Sequence, residues 1–196
     1  MKPTLYLFDF DGTLTHVDTL FDFLKHSFPK KYKSVYFQFI FLFILAKLKI
    51  KDSGQVKQRF LAAFLKGKSK SEIEELAIQY FQKRKNQILR KSAIDFIKKI
   101  DENADVYLVS ASLDIWLQPF ADYFGAKLIC TKAKFTEQGI FTGKFEGKNC
   151  NYEEKKNRII SEINLKSYKE ILAYGDSKGD AEMFSLATQV FFRKFN

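Results

Sequence analysis

Four aspartates stand at the ends of two apolar stretches that have the character of buried strands. Asp9 and Asp11 close the stretch LYLFDFD near the start of the chain, and Asp176 and Asp180 follow ILAYG near its end. If both stretches are strands of one parallel sheet, their carboxyl ends meet at the crevice where open α/β sheets bind ligands. Four carboxylates there would repel one another unless a cation neutralised them, and such oxygen ligands suit Mg²⁺, which commonly shares its shell with a phosphate. The pattern therefore predicts a magnesium site at which a phosphate group binds.

The spacing of Asp9 and Asp11 is suited to catalysis. Side chains alternate along a strand, so these two carboxylates are expected on the same side while Phe10 points to the other. One of them can attack a reacting group while the other transfers a proton. Gly12 follows directly and permits a sharp turn, which a residue with a Cβ would adopt only at a cost.

The elements that must position these groups alternate between strands and helices outside residues 20–91. Apolar runs predict strands at Thr4–Phe10, Asp105–Ser110, Lys127–Thr131, EILAYG and Gln189–Phe192. Helical spacing predicts helices at Ala93–Ile100, Leu113–Phe124, Glu153–Ile163 and Asp180–Ala187. Ser112 is expected to cap the second of these helices, and Pro119 to kink or break it. The segment KFTEQGIFTGKFEG alternates around Gly139 and predicts a small β-hairpin. The repeated units predict an α/β fold with a Rossmann-like parallel sheet between helices.

Residues 20–91 interrupt this alternation with a stretch that is almost wholly helical in character. We expect a helical cap there, inserted into a core made of residues 1–19 and 92–196. The chain has a formal net charge of +10, and the whole excess lies in residues 19–92, which hold 17 Lys and Arg against 5 Asp and Glu. Such a surface suits nucleic acid, anionic lipid or a phosphorylated substrate, and it is also common on solvated helices.

The composition is that of a folded protein. The 196 residues are 46% hydrophobic, enough to bury a core as one domain or as one domain with an insertion. Cys130 and Cys150 are too few for a disulfide framework and lack CxxC spacing, so we expect free thiols. The aspartates begin so early that they leave no room for the apolar segment of a signal peptide, and a cytoplasmic location is expected.

The motifs resemble those of the haloacid dehalogenase superfamily of phosphohydrolases over nearly the whole chain. The first motif of that family, DxDGT, is matched by residues 9–13, and its fourth, GDSxxD, by residues 175–180. The second, a Ser or Thr that closes a strand, is matched by Ser110 in LVSAS. The third is a lysine at a helix start, which we assign to Lys155 in NCNYEEKK, with Lys156 as the alternative.

The resemblance implies phosphoryl transfer through an aspartyl phosphate. Asp9 would attack phosphorus, and Asp11 would protonate the leaving alcohol before it activates water. The phosphate oxygens would be held by Ser110, Lys155, Gly12 and Ala111.

The resemblance also implies a Mg²⁺ cofactor and a reaction type. The Asp9 carboxylate, the Asp11 backbone carbonyl and Asp176 would bind the ion, with Asp180 in support. Family members that act on carbon–halogen bonds, and the related ion pumps, lack an acid at the position of Asp11. The acid found here therefore favours a phosphatase.

The substrate class stays open between two branches of the resemblance. The helical insertion is similar to that of subfamily IB, which includes phosphoserine phosphatases and a membrane-associated phosphatidylglycerophosphate phosphatase. The second of these has a similar apolar stretch after its first motif, which favours a lipid phosphate or another amphiphilic phosphomonoester. A soluble phosphatase of phosphoserine type is the alternative, with Asp18 for the substrate ammonium and Arg59 for its carboxylate. Asp18 also has a simpler interpretation as a helix cap.

The apolar stretch itself runs from Val35 to Ala46, 12 residues with Gln38 as the one polar member. It is shorter than the roughly 20 residues that a membrane-spanning helix needs. Because it is apolar all round, it must be covered by the rest of the cap, by a second subunit or by a lipid surface. Flanking lysines suit peripheral contact with an anionic membrane, and they are Lys30, Lys31, Lys33, Lys47, Lys49 and Lys51.

A basic nucleic-acid-binding module with a vestigial site is a third hypothesis. Net charge is its support, but no helix-turn-helix, zinc or RNA-binding signature accompanies that charge. The intact carboxylate set argues against it, so no nucleic-acid partner is expected.

Overall fold

The structure, a computed structural model, describes residues 2–195, and its centre is one six-stranded sheet with the order β4-β3-β2-β1-β5-β6. The strands are Thr4–Phe8 (β1), Asp105–Leu113 (β2), Lys127–Phe135 (β3), Phe141–Glu146 (β4), Glu170–Gly175 (β5) and Gln189–Phe192 (β6). All neighbouring strands are parallel except β4, which is antiparallel to β3 and forms the expected hairpin. The predicted α/β class is confirmed.

Eight α-helices surround the sheet within the described residues. They are Thr19–Ser27 (α1), Pro29–Lys47 (α2), Ser53–Leu65 (α3), Lys70–Ile88 (α4), Lys91–Ile97 (α5), Asp114–Phe124 (α6), Glu153–Glu162 (α7) and Ala181–Phe184 (α8). A 3₁₀ turn over residues 178–180 precedes α8. The first four helices fill the segment predicted to be a helical cap.

The prediction about the start of α6 is wrong. Ser112 lies inside β2 and does not cap the helix, which begins at Asp114. The Asp114 carboxylate accepts hydrogen bonds from Ile115 N at 3.0 Å and Ala133 N at 3.1 Å, so it anchors this helix start to β3. Of the kink or break expected at Pro119, the break does not occur, because the helix continues through this residue with one backbone donor fewer than an ordinary helix.

The two faces of β1 enter two separate hydrophobic cores. Leu5 and Leu7 pack on the side of α7 and α8, with Ile159 and Met183. Phe8 lies in the larger core on the opposite face. That larger core extends without interruption into the first helices of the chain, because the Phe23 ring stacks on Trp116 at a centroid distance of 5.1 Å.

The hairpin of β3 and β4 is bonded to the loop between α3 and α4. Gly67 N donates to Phe141 O at 3.0 Å, Phe141 N donates to Lys68 O at 2.9 Å, and Lys70 N donates to Gly139 O at 2.8 Å. In β4 the backbone also closely approaches α3, since a Cβ on residue 143 would lie 2.9 Å from the Ala62 Cβ. The helical segment is therefore held to the sheet edge by backbone hydrogen bonds as well as by its core. The boundaries at 19/20 and 91/92 remain a proposal.

Helix α2 is covered on one face and bare on the other. Its inner face packs on α1 and α3, where the Phe43 ring lies 5.0 Å from that of Phe60. Its opposite face is exposed, with Phe37 at 68% and Phe41 at 64% of their full accessible area. The alternative of a fully buried cap helix is therefore wrong for α2 within this chain. Among residues 2–195, no helix combines the length and apolarity needed to cross a membrane.

The two cysteines behave as predicted. Cys130 and Cys150 are both buried and neither forms a disulfide. Burial raises the pKa of the Cys150 thiol to about 11, so it stays protonated at neutral pH.

Candidate active site

A cavity of about 450 Å³ lies at the carboxyl ends of β1, β2 and β5. Its lining includes the predicted residues Asp9, Asp11, Gly12, Asp18, Ser110, Ala111, Lys155, Asp176 and Asp180. Residues that were more than 140 positions apart in sequence, such as Asp9 and Lys155, meet here at hydrogen-bond distance. The crevice at the strand ends is where the parallel topology places a ligand.

Asp9 is buried at the floor of this cavity. Its Oδ1 accepts a hydrogen bond from Lys155 Nζ at 2.6 Å, and its Oδ2 accepts one from Thr13 Oγ1 at 3.0 Å. Its own backbone N–H donates to Tyr174 O at 2.8 Å, which fixes the residue beside β5 although β1 ends at Phe8. Burial raises the pKa of Asp9 to about 7, and the Lys155 ammonium opposes that rise.

Lys155 stands in the first turn of α7 and is 2% exposed. Its Nζ bridges Asp9 Oδ1 and Asp180 Oδ1, each at 2.6 Å. Burial alone would lower the pKa of Lys155, but the two carboxylates outweigh burial and raise it, so the side chain is an ammonium. Lys156 lies outside, 3.8 Å from Glu182 at the surface. Of the two lysines, the structure brings Lys155 into the cavity.

Asp176 and Asp180 complete a group of three carboxylates. One oxygen from each of Asp9, Asp176 and Asp180 lies within 4.8 Å of the others. Asp180 is held from behind, because its Oδ2 accepts from Ser177 N at 3.0 Å and from Ser177 Oγ at 2.9 Å. Burial and the neighbouring Asp180 raise the pKa of Asp176. Three carboxylate oxygens gathered this closely fit a hard divalent cation, which would relieve the repulsion between them.

Gly12 allows Asp176 to approach the first motif. Its φ is +83°, and a Cβ at this position would lie 2.6 Å from Asp176 Oδ2. A side chain here would therefore displace the carboxylate from the three-acid group. The predicted turn is present, and glycine is required there for a second reason, because a larger residue would collide with Asp176.

Asp11 points away from the three-carboxylate group. Its Oδ1 accepts from Thr19 N at 2.7 Å and its Oδ2 accepts from Ser112 Oγ at 2.6 Å. Strand alternation is not what places Asp9 and Asp11, because β1 ends at Phe8 and neither aspartate belongs to it. The turn nevertheless brings both carboxylates to the cavity wall.

A bulge in β2 shapes the wall opposite Asp9. The pairing of β2 with β3 shifts between Ser110 and Leu113, so the strand continues past the predicted end at Ser110. Ser110 is buried at the cavity, where its Oγ accepts from Ser112 N at 3.0 Å. The Ala111 carbonyl is already occupied, since it accepts from Lys57 Nζ at 2.8 Å and from Thr131 Oγ1 at 2.7 Å.

The residues predicted to contact the rest of the substrate are only partly brought together. Asp18 caps α1, with its Oδ1 accepting from Leu20 N at 3.0 Å, and it also stands at the exposed rim of the cavity. The protein around Asp18 and the charge of Asp11 raise its pKa to about 6, while Lys57 opposes the rise. Arg59 is exposed and does not line the cavity, whereas Lys57, two residues earlier on α3, does. Two positions on a helix are about 200° apart, which turns Arg59 away.

Sequence reasoning missed two residues of the site. Ser112 was interpreted as a helix cap, yet its hydroxyl holds Asp11. Lys57 is one of the many basic residues of the helical segment, and burial lowers its pKa while Asp18 and Asp11 raise it. The repeated serines in LVSAS were a signal for the first, whereas nothing local distinguished the second.

Comparison with known sequences places this chain among related proteins. The haloacid dehalogenase-like hydrolase family model matches residues 6–185. Protein CicA of Caulobacter vibrioides is 30% identical over 196 residues, which cover 99% of this chain and 87% of that protein. A 2-hydroxy-3-keto-5-methylthiopentenyl-1-phosphate phosphatase of Lysinibacillus sphaericus is 27% identical over 146 residues, or 71% of this chain and 56% of that protein.

Solved structures show the same fold. A protein of unknown function from Bordetella pertussis superposes with a TM-score of 0.83 at 21% identity, covering 98% of this chain and 90% of that one. A phospho-aspartyl intermediate analogue of phosphoserine phosphatase superposes with a TM-score of 0.65 at 22% identity, covering 98% and 87%. The chain belongs to the haloacid dehalogenase-like hydrolase family.

Proposed function

We propose that this hydrolase is a Mg²⁺-dependent phosphomonoesterase that transfers the phosphoryl group to Asp9. The observation that carries the proposal is the placement of the Asp9 carboxylate, which is buried at the cavity floor and fixed by Lys155 Nζ at 2.6 Å and Thr13 Oγ1 at 3.0 Å. An oriented carboxylate beside an ammonium is suited to attack phosphorus, because the charge that gathers on the equatorial oxygens is stabilised next to it.

Asp11 is positioned for the proton transfers. In the first step Asp9 bonds to phosphorus, the ester bond breaks, and Asp11 gives its proton to the leaving alkoxide. In the second step Asp11 takes a proton from water, the resulting hydroxide attacks phosphorus, and inorganic phosphate leaves with Asp9 restored. Thr19 N and Ser112 Oγ hold the Asp11 carboxylate for both steps.

The phosphate oxygens have several donors available. Lys155 Nζ and Ser110 Oγ face the cavity. Gly12 N–H makes a long hydrogen bond of 3.2 Å to Thr15 Oγ1, and a phosphate oxygen could take its place. Ala111 would contribute its N–H, since its carbonyl is taken.

Mg²⁺ would be held by Asp9, Asp176 and the Asp11 carbonyl, with Asp180 and its tie to Lys155 in support. When bound, the ion neutralises charge on the transferring phosphoryl group and so reduces the electrostatic repulsion between that group and an anionic nucleophile. The same charge favours the ionised form of Asp9, whose pKa of about 7 would otherwise leave it partly protonated at neutral pH.

We infer that the physiological substrate is a lipid phosphate or a similar amphiphilic phosphomonoester, such as phosphatidylglycerophosphate. The exposed apolar face of α2 supports an amphiphilic substrate. An observation that favours a small soluble substrate of phosphoserine type is the presence of Asp18 and Lys57 on the same cavity. An amino-acid leaving group carries both an ammonium and a carboxylate, and these two side chains could pair with them.

The first experiment measures Mg²⁺-dependent hydrolysis of an aryl phosphate by Asp9→Asn. Because the amide is a far weaker nucleophile, turnover should fall by at least about a thousandfold. Asp95→Asn, at an exposed site on α5, is the matched control and should keep wild-type activity. Labelled phosphate should be trapped as an acyl phosphate on the wild type and not on Asp9→Asn. Wild-type turnover in Asp9→Asn would overturn the nucleophile assignment.

The second experiment compares phosphatidylglycerophosphate in vesicles with soluble phosphoserine. A lipid enzyme should prefer the first by at least about tenfold in kcat/KM. The soluble alternative predicts the reverse preference, and it predicts that Lys57→Met raises KM for phosphoserine while leaving aryl phosphate hydrolysis nearly unchanged. Equal rates on both substrates would remove the lipid proposal.

A further inference from the structure

We propose that the outer face of α2, formed by Phe37, Ile40, Phe41 and Ile44 and continued by Leu48 directly after the helix, is a docking surface for an anionic lipid bilayer. The five residues are three, four, seven and eleven positions from the first, so they form a single stripe about 100° wide on the helix. All five side chains are exposed, which is an unusual concentration of bare apolar area on one element.

The inner face of α2 accounts for the packing that the protein itself needs. Tyr32, Tyr36, Phe39 and Phe43 each bring their ring close to Phe60 of α3, Phe39 at 5.3 Å. Tyr36 and Phe43 also contact Phe21 of α1. The centre of this inner face lies about 120° around the helix from the centre of the outer face. The outer face leaves between 41% and 68% of each side chain exposed, so its apolar character needs another partner.

The positive charge around the outer face of α2 indicates which partner covers it. Residues 28–51 contain six lysines and no Asp or Glu. Three lysines stand at each end of the apolar stripe, and Lys30, Lys33, Lys47, Lys49 and Lys51 are exposed. An apolar stripe between two cationic ends matches acyl chains beneath anionic headgroups. A second copy of the chain fits poorly, because two α2 helices placed face to face in either direction would oppose lysines to lysines at both ends.

The stripe also leads towards the cavity. Ile50, two residues after Leu48, is also exposed, and Ser53, three residues further along the chain, lines the cavity. A bilayer bound along α2 would thus lie close to the cavity entrance, where a phosphomonoester in that bilayer could reach Asp9. This last step rests on the proposed function, whereas the docking surface lies outside the cavity and is measured without turnover.

The test is co-flotation of the full chain with vesicles of phosphatidylglycerol and phosphatidylcholine, compared with phosphatidylcholine alone. The wild type should bind the anionic vesicles and lose binding as salt rises, because the headgroup attraction is screened. Phe37→Gln/Phe41→Gln should reduce the partition coefficient by at least about tenfold, since two large apolar side chains no longer enter the interface.

The matched control is Ile160→Gln/Phe192→Gln, which removes exposed apolar side chains elsewhere, 52% and 56% exposed. It should bind vesicles like the wild type. Both double variants should keep wild-type circular dichroism and aryl phosphate hydrolysis, so that lost binding is not lost folding. The proposal is overturned if the wild type does not bind anionic vesicles, or if the control variant loses as much binding as Phe37→Gln/Phe41→Gln. It is also overturned if light scattering finds a dimer that Phe37→Gln/Phe41→Gln converts to a monomer, because a second copy then covers the face.

Discussion

Replacing Lys155 by Met should destabilise the protein far more than any surface lysine does. The Lys155 ammonium is the shared hydrogen-bond partner of Asp9 Oδ1 and Asp180 Oδ1, each 2.6 Å away, and the three side chains are buried. Met has a similar length and no charge, so the substitution removes the cation while nearly filling its space. Two buried carboxylates then face each other without their counter-ion.

The expected loss is large because a buried charge without its partner is costly, about 3–5 kcal/mol in comparable cases. The lower end of that range applies here, since Asp9 already has a raised pKa and can take up a proton to relieve the strain. Lys156→Met is the matched control. Its ammonium lies 3.8 Å from Glu182 at the surface, and such a pair contributes below about 1 kcal/mol.

The assay is urea unfolding of both variants at pH 7 and pH 5. Without Lys155, the pKa of Asp9 loses the opposing effect of the ammonium and rises further, so the folded state binds more protons than the unfolded state between those pH values. The deficit of Lys155→Met should therefore shrink at pH 5. Adding Mg²⁺ at pH 7 should also reduce it, because the ion replaces part of the missing positive charge. Equal losses in the two variants, or a deficit that does not change with pH, would refute the reasoning.

Three further variants test other parts of the site and fold. Gly12→Ala places a Cβ 2.6 Å from Asp176 Oδ2 at a φ of +83°. Thermal unfolding should show a free energy of unfolding lowered by about 1–3 kcal/mol, and turnover should fall by at least about tenfold. Wild-type stability and turnover would contradict the argument that this Cβ crowds Asp176. Ser112→Ala removes the 2.6 Å hydrogen bond to Asp11, and steady-state kinetics should show kcat reduced about tenfold with KM little changed, whereas a change in KM alone would point to substrate contact instead. Asp105→Asn removes a carboxylate whose pKa is lowered by hydrogen bonds from a lysine and a tyrosine. Because that contribution is present above the usual titration range and lost as pH falls, stability should drop by less than about 1 kcal/mol at pH 7 and not at all at about pH 2, as urea titrations would check.

The strands and the acids were predictable because buried parallel strands have a clear sequence pattern. An apolar run that ends in acid marks both β1 and β5, and the topology then brings Asp9 and Asp176 to the same crevice. The predicted end of β1 at Phe10 was two residues too long. The local pattern continues through Phe10, but pairing with both neighbours stops at Phe8, and pairing is a property of the whole sheet.

The residues that sequence could not place depend on contacts between distant elements. Lys57 differs from Arg59 by about 200° of helix rotation, and which of the two faces the cavity is decided by how α3 packs on β4. The same applies to α2. A helix that is apolar all round gives no pattern from which to choose a buried face, so its bare stripe emerges only when α1 and α3 have covered the other side.

The hydrogen bonds between the hairpin and the α3–α4 loop bear on how reactants enter and leave. A hinge rotation of the helical segment away from the sheet would break the three backbone hydrogen bonds at Gly67, Lys70 and Phe141, each worth about 0.5–1.5 kcal/mol. It would also expose to solvent the core that Phe23 shares with Trp116. Substrate and product could instead pass through the existing cavity entrance with small movements near Ser53, and none of these hydrogen bonds or core contacts would then be lost. Turnover should then be insensitive to a disulfide clamped across the hairpin and the loop, and the amides of the hairpin should rank among the slowest to exchange with deuterium.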